Sequence, residues 1–177
     1  MDFQPSEVNK HFTEDGPGTI DTSIRSSSSA EITRTDVVRC IEERALAFQG
    51  YESTNTGFLE PLQVVRYGPS EEYKHHFDWA LTTRRDTTFF VYLEANCTGG
   101  GTNFPVLNPP TDEKWCEFVD CDESYNAGVT FKPIAGNAIF WQNFNADGTG
   151  IKESFHAGLP VTTGSKIGLN IWTWRLE

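Results

Sequence analysis

A chain of 177 residues is most simply one domain, long enough to bury roughly two-thirds of its unfolded surface around a single core. Fourteen basic against 25 acidic side chains leave a net charge of −11, which argues against DNA or RNA as partner, because phosphate binding needs basic surface. No run of about 18 apolar residues exists to span a membrane, and "MDFQPSEVNK" lacks the basic-then-apolar pattern of a signal peptide, so any targeting segment is expected to have been removed or never to have been there. The acidity keeps a domain soluble and leaves room for a basic or neutral partner or a small molecule.

Residues 1–34 read as an irregular lead-in belonging to the same domain. "EDGPG" and the low-complexity "SSSS" at 26–29 are turn-rich, with room for one edge strand. "TDVVRCIEERALAFQG" then reads as a helix, with Thr35 as N-cap, Asp36 in the first turn and Gly50 at the stop. Val37, Ile41, Ala45 and Phe48 share one face at helical spacing, and that face is expected to pack on a sheet.

From residue 61 the pattern changes to strands. "LQVVRYG", "YKHHFDW", "TTFFVYLEA", "TNFPVL", "VTFKPI", "NAIFWQNF", "SFHAGLPV" and "KIGLNIWTW" are β-rich runs parted by turn signals such as "GPSEE", "TGGG" and "ADGTG". Eight short strands after a helix predict a mainly β fold with a packed helix (α+β), closed from two sheets; the jelly roll is the commonest eight-stranded form. "GPGT" and "GGGT" lack the Walker lysine, so no phosphate loop is expected. The four cysteines, Cys40, Cys97, Cys116 and Cys121, allow three full pairings, or four reduced thiols in a cytosolic protein. "WCEFVDC" is not CxxC and makes no zinc–thiolate site, but its polar setting fits a short-loop disulfide.

"YKHHFDW" holds two of the four histidines. On a strand, side chains alternate, so His76 and Asp78 share one face while His75 turns to the other with Phe77. An imidazole and a carboxylate so placed suit a first-row divalent metal, and a second histidine would complete a two-His-one-carboxylate triad with open positions. His156, 80 residues downstream in "SFHAGLPV", is the only later histidine, and a jelly roll can lay an early strand beside a late one. Ten residues on, Lys166 lies on what would be the neighbouring strand. Its compact charge could meet a dicarboxylate chelated to the metal, its stem packed on apolar neighbours. A solvated strand-start lysine is the plain alternative.

Taken together, "RYGPSEEYKHHFD", "GGGTNFP" and "HAGLPVTTGSKIGLNIW" resemble, in order and spacing, the catalytic domain of prolyl 4-hydroxylases, which are iron(II)- and 2-oxoglutarate-dependent dioxygenases. The likeness runs from about residue 35 to 177, so 35–177 is expected to form the catalytic domain. It implies a double-stranded β-helix, a jelly-roll (cupin-like) variant with helices on one sheet. By resemblance, His76, Asp78 and His156 are the iron ligands, and Lys166 pairs with the C5 carboxylate of 2-oxoglutarate. Tyr67 and Thr102 match positions that hydrogen-bond the same cosubstrate. Tyr73, Arg85 and Trp172 match positions lining the peptide side, although the aromatics could serve packing and Arg85 could pair with Asp86 or Glu94.

The implied reaction hydroxylates a C–H bond of peptidyl proline with O2, yielding succinate and CO2, with ascorbate as reductant. A free amino acid or small metabolite is the alternative substrate. A metal hydrolase would leave Lys166, Tyr67 and Thr102 without a shared task, and a jelly-roll binding module with structural histidines is the non-enzymatic rival. The segment from Asp78 to Tyr92 is shorter than the closing loop of many relatives, and the region before the helix is abbreviated. The insertion "NPPTDEKWCEFVDCDESYNAG" resembles fungal versions of the domain. That likeness favours a disulfide and the secretory pathway (endoplasmic reticulum lumen or secreted) over the cytoplasm. No membrane segment lies in the chain, and a monomer is the simpler expectation.

Overall fold

A computed structural model of the chain describes residues 2–8, 18–52, 56–79 and 85–174. Most of "EDGPG" and the middle of the short Asp78–Tyr92 segment lie outside the described residues.

The lead-in supplies two short strands, β1 (Gln4–Pro5) and β2 (Ser28–Glu31). Helix α1 (Asp36–Phe48) follows, capped by the Thr35 hydroxyl, which accepts from the Val38 N–H. Gly50, at φ +80°, takes the left-handed turn after it, where a side chain would be strained. All eight strand-like runs of the sequence form strands: β3 (Gln63–Tyr67), β4 (Tyr73–His76), β5 (Arg85–Gly99), β6 (Thr102–Phe104), β7 (Val129–Phe131), β8 (Ala138–Gln142), β9 (His156–Gly158) and β10 (Val161–Trp174).

They make two antiparallel sheets, one ordered β1-β2-β3-β10-β5-β8 and the other β4-β9-β6-β7. The eight later strands pair as nested hairpins, first with last: β3 with β10, β4 with β9, β5 with β8, β6 with β7. This is the jelly roll of the double-stranded β-helix, and it brings residues distant in sequence side by side.

Strand alternation divides the core. Val64, Phe89, Leu169 and Ile171 face outward and take the helix through Val38, Ala45 and Leu46. Their neighbours in sequence face inward: Phe90 and Tyr92 meet Phe104 and Ile139, while Val65 and Tyr67 meet Val161. Gly168 lies on the inner face, where an added Cβ would come 2.3 Å from the Phe90 ring.

The helix face differs from the sequence expectation. Val38, Glu42, Ala45 and Leu46 are buried, whereas Val37 and Phe48 are each 69% exposed. The stripe is turned by one residue because Glu42, polar in the sequence, is held by Arg34 at 2.8 Å and so can point inward. Phe48 still touches the margin of the core, edge-on to Phe89 and Phe140.

The insertion between β6 and β7 is closed by a Cys116–Cys121 disulfide, with Cα atoms 5.4 Å apart, while Cys40 and Cys97 are free thiols. One bridge and two thiols match neither a full pairing nor four reduced cysteines.

Candidate metal centre

Nested pairing sets His76 on β4 directly opposite His156 on β9. The two imidazoles are held by the same local device. Each Nδ1 donates to a carbonyl two residues earlier, His76 to Lys74 at 2.7 Å and His156 to Ser154 at 2.8 Å. Each Nε2 is thereby left as a lone pair facing the interior. Ring planes are set by stacking. Tyr73 lies 3.6 Å from His76 at 17°, and Phe104 and Trp141 flank His156 at 5.4 and 4.7 Å.

Asp78 follows β4 and completes the cluster, with its Oδ1 3.7 Å from His76 Nε2. Its other oxygen accepts from Thr88 Oγ1 at 2.8 Å and from the Trp172 indole at 3.2 Å. Thr88 is itself held by Asn143, and Asn143 by the Trp141 indole. One ligand atom from each of His76, Asp78 and His156 lies within 4.8 Å of the others. Two imidazole nitrogens and one monodentate carboxylate oxygen at that spacing fit a first-row divalent ion with bonds of roughly 2.1 Å, after small side-chain adjustments. Burial alone would raise the Asp78 carboxyl, but His156, His76 and Arg85 outweigh it and hold it well below the usual carboxylate range. Burial, then the neighbouring His76, lowers His156 to about 4, which leaves it neutral at physiological pH.

Lys166 pairs through its backbone with Tyr67 on β3. It is not on a strand beside His156 in one sheet, as the sequence reading expects. β10 lies in the middle of the six-stranded sheet, and Lys166 reaches across the interior toward β9 of the other. A Cβ added at Gly158 would sit 3.8 Å from Lys166 Nζ and 3.6 Å from the Tyr67 hydroxyl. The lysine is fully buried. It donates to the Gly100 carbonyl and lies 4.6 Å from the Tyr67 ring and 5.9 Å from that of Phe90. Among the described residues no carboxylate pairs with it, and burial lowers its ammonium to about 8. Thr102 lies opposite Gly158 on β6, its hydroxyl 2.7 Å from that of Tyr92. Lys166, Tyr67 and Thr102 therefore meet at one end of the interior, around Gly158, with the histidine–aspartate cluster at the other.

The three residues expected on the peptide side border the cluster. Tyr73 stacks on His76, and Trp172 is buried with its indole committed to Asp78. The Arg85 guanidinium carbon lies over Trp172, 3.6 Å from the ring centre, but its carboxylate partner is neither Asp86 nor Glu94. Glu60, 25 residues earlier, takes it in a two-pronged pair at 2.7 and 2.8 Å. That bidentate match satisfies a half-buried guanidinium in a way one flanking acid could not. His75 turns away from the cluster, tilted against Phe155 beside Phe77, with its Nε2 2.8 Å from Asn103 Oδ1. Sequence reasoning missed Thr88, Tyr92, Asn143 and Glu60. For Thr88 and Tyr92 a signal existed, since they share the inward parity of Phe90.

A family model described as the 2OG-Fe(II) oxygenase superfamily matches residues 62–174. Prolyl 4-hydroxylase 1 of Arabidopsis thaliana is 27% identical over 86% of this chain and 54% of its own length. The transmembrane prolyl 4-hydroxylase of Mus musculus is 32% identical over 77% of this chain and 34% of its own. The chain thus spans about half, or less, of these curated relatives. Among solved structures, the viral collagen prolyl hydroxylase of Paramecium Bursaria Chlorella virus-1, in a 2OG complex, superposes with a TM-score of 0.63 at 26% identity. That match covers 85% of this chain and 80% of the other.

Proposed function

The chain belongs to the 2OG-Fe(II) oxygenase superfamily, and on that premise we propose that it hydroxylates peptidyl proline, with residues 35–177 as the catalytic domain and the lead-in part of the same unit. The observation that carries this reading is the pairing of two features in one interior. A two-histidine, one-aspartate cluster faces the same space as a fully buried lysine with no carboxylate partner among the described residues. A metal alone would explain the first, and only a second, anionic ligand explains the second.

His76, Asp78 and His156 hold iron(II), which with 2-oxoglutarate and O2 supplies the oxidising power for C–H hydroxylation, giving succinate and CO2. Lys166 receives the distal carboxylate of 2-oxoglutarate, assisted by the Tyr67 and Thr102 hydroxyls. Phe90, Phe104, Trp141 and Trp172 keep water from the site. Tyr73, Arg85 and Trp172 border the opening on the substrate side. Ascorbate is the expected reductant. A proline-containing segment in polyproline II form suits an aromatic-walled opening, and the net charge of −11 favours basic flanks. The Cys116–Cys121 bridge supports the secretory pathway as setting.

The test is formation of succinate from 2-oxoglutarate with added iron(II), with and without a proline peptide, against a His76→Ala control. Mass spectrometry of the peptide reads a gain of one oxygen on proline. Turnover no greater than the control, with iron bound, would refute the dioxygenase reading. Turnover driven by a free amino acid but not by peptide would move the substrate to the small-molecule class.

A further inference from the structure

Residues 24–27 lie outside the matched stretch 62–174 and read from sequence as part of an irregular lead-in. They run along the edge of β4 that faces away from β9. Lys74 N–H donates to the Ile24 carbonyl at 2.9 Å, Ser26 N–H to the Glu72 carbonyl at 3.0 Å, and Glu72 N–H to Ser26 Oγ at 2.9 Å. This pairing sets Arg25 across from Tyr73. Arg25 is 8% exposed and has neutral partners: its Nε donates to Ser27 Oγ at 3.0 Å and its Nη1 to the Glu7 carbonyl at 3.1 Å. The guanidinium lies 4.6 Å from the centre of the Tyr73 ring, and the His76 imidazole stacks 3.6 Å from the same centre. Two groups this close to one centroid occupy opposite faces, so Tyr73 is a plate between a buried cation and a cluster histidine. Ser27, whose hydroxyl receives Arg25 Nε, itself donates to Ser6 Oγ at 3.0 Å.

We propose that Arg25 is a positioning residue of the active site, setting the plane of His76 through Tyr73. The inference rests on the reading of His76 as a metal ligand. The Nδ1 bond of His76 to the Lys74 carbonyl fixes which nitrogen faces the ion, yet still lets the ring rock about that bond. The Tyr73 plate removes this freedom only if it is held from behind. A guanidinium with no carboxylate partner among the described residues directs its charge at the electron-rich ring face, which a neutral side chain of equal length would not do. Through Arg25 the metal end of the interior draws support from a segment that carries no recognisable catalytic motif.

The experiment measures binding of Mn(II) and Co(II) to the full chain without turnover. Arg25→Met, similar in length and neutral, should raise the metal Kd about tenfold, as outer partners of ligands do, and alter the Co(II) absorption bands. Arg25→Lys, which keeps a cation on the ring, should recover to within about threefold. A folded Arg25→Met protein with wild-type metal affinity and Co(II) spectrum would overturn the proposal. Should the Arg25 variants not fold, Tyr73→Leu is read against Tyr73→Phe: the plate requires that only the former lose metal affinity, and equal affinities overturn it. Wild-type chain that binds neither ion would instead strike down the metal-site reading itself.

Discussion

Asp78 and Lys166 both carry a charge into the space between the two sheets, yet their surroundings differ. Asp78 is met by Thr88, Trp172 and two imidazoles, with Arg85 beyond, and its carboxyl is held low in spite of burial. Lys166 is met by aromatic rings and one carbonyl, and burial lowers its ammonium to about 8. One charge is compensated by the protein itself; the other has no carboxylate partner among the described residues. On the proposed reading, the metal end is built in advance, whereas the cosubstrate end would draw binding energy from a charge the fold leaves poorly served.

The largest effect that could break this contrast comes from the metal end. Ala at His76, Asp78 or His156 should abolish succinate formation, a loss of at least about 1,000-fold, with metal binding lost in parallel by calorimetry. Lys166→Ala should raise the Kd for 2-oxoglutarate about 100-fold, corresponding to roughly 3 kcal/mol for a buried pair broken on one side. Its metal Kd should stay unchanged, and equal losses for both ligands would mean the two ends are not separate. Thr88→Val should do the converse on a smaller scale, weakening metal about tenfold while leaving 2-oxoglutarate nearly untouched, with Thr88→Ser restoring it.

The contrast also has a pH signature. Lys166 must be protonated to pair with a carboxylate, so 2-oxoglutarate affinity should be flat below about pH 8 and fall up to tenfold per unit above it. Lys166→Arg, which keeps its charge, should abolish that dependence if it binds at all. Least of all, His75→Ala should leave metal affinity within about twofold and remove one hydrogen bond to Asn103, worth about 1 kcal/mol in thermal stability.

Much of this contrast was legible in the sequence, because strand parity and nested pairing are regular. Alternation separated His76 and Asp78 from His75, and eight runs in the order of a jelly roll made His156 a credible partner 80 residues away. What parity could not tell was the sheet. Lys166 follows His156 closely in sequence, yet β9 and β10 lie in different sheets, so proximity along the chain was mistaken for adjacency within a layer. The helix face was misjudged because burial of Glu42 depends on Arg34, a pairing no hydrophobic count contains. Glu60 and Arg25 were invisible for the same reason: their partners lie 25 and 48 residues away, and neither position belongs to a periodic pattern.

Both outer edges of the four-stranded sheet are partly covered. Residues 24–26 line β4, and on the far side Asp120 N–H donates to the Thr130 carbonyl and Lys132 N–H to the Phe118 carbonyl, within and beside the disulfide-closed insertion. A peptide would find the backbone donors and acceptors already taken along Glu72–Lys74 and along β7, so an added strand is blocked at those two stretches. Docking there would have to pass through side chains. That mode tolerates prolines, which have no N–H to offer a ladder, better than it tolerates ordinary extended chain.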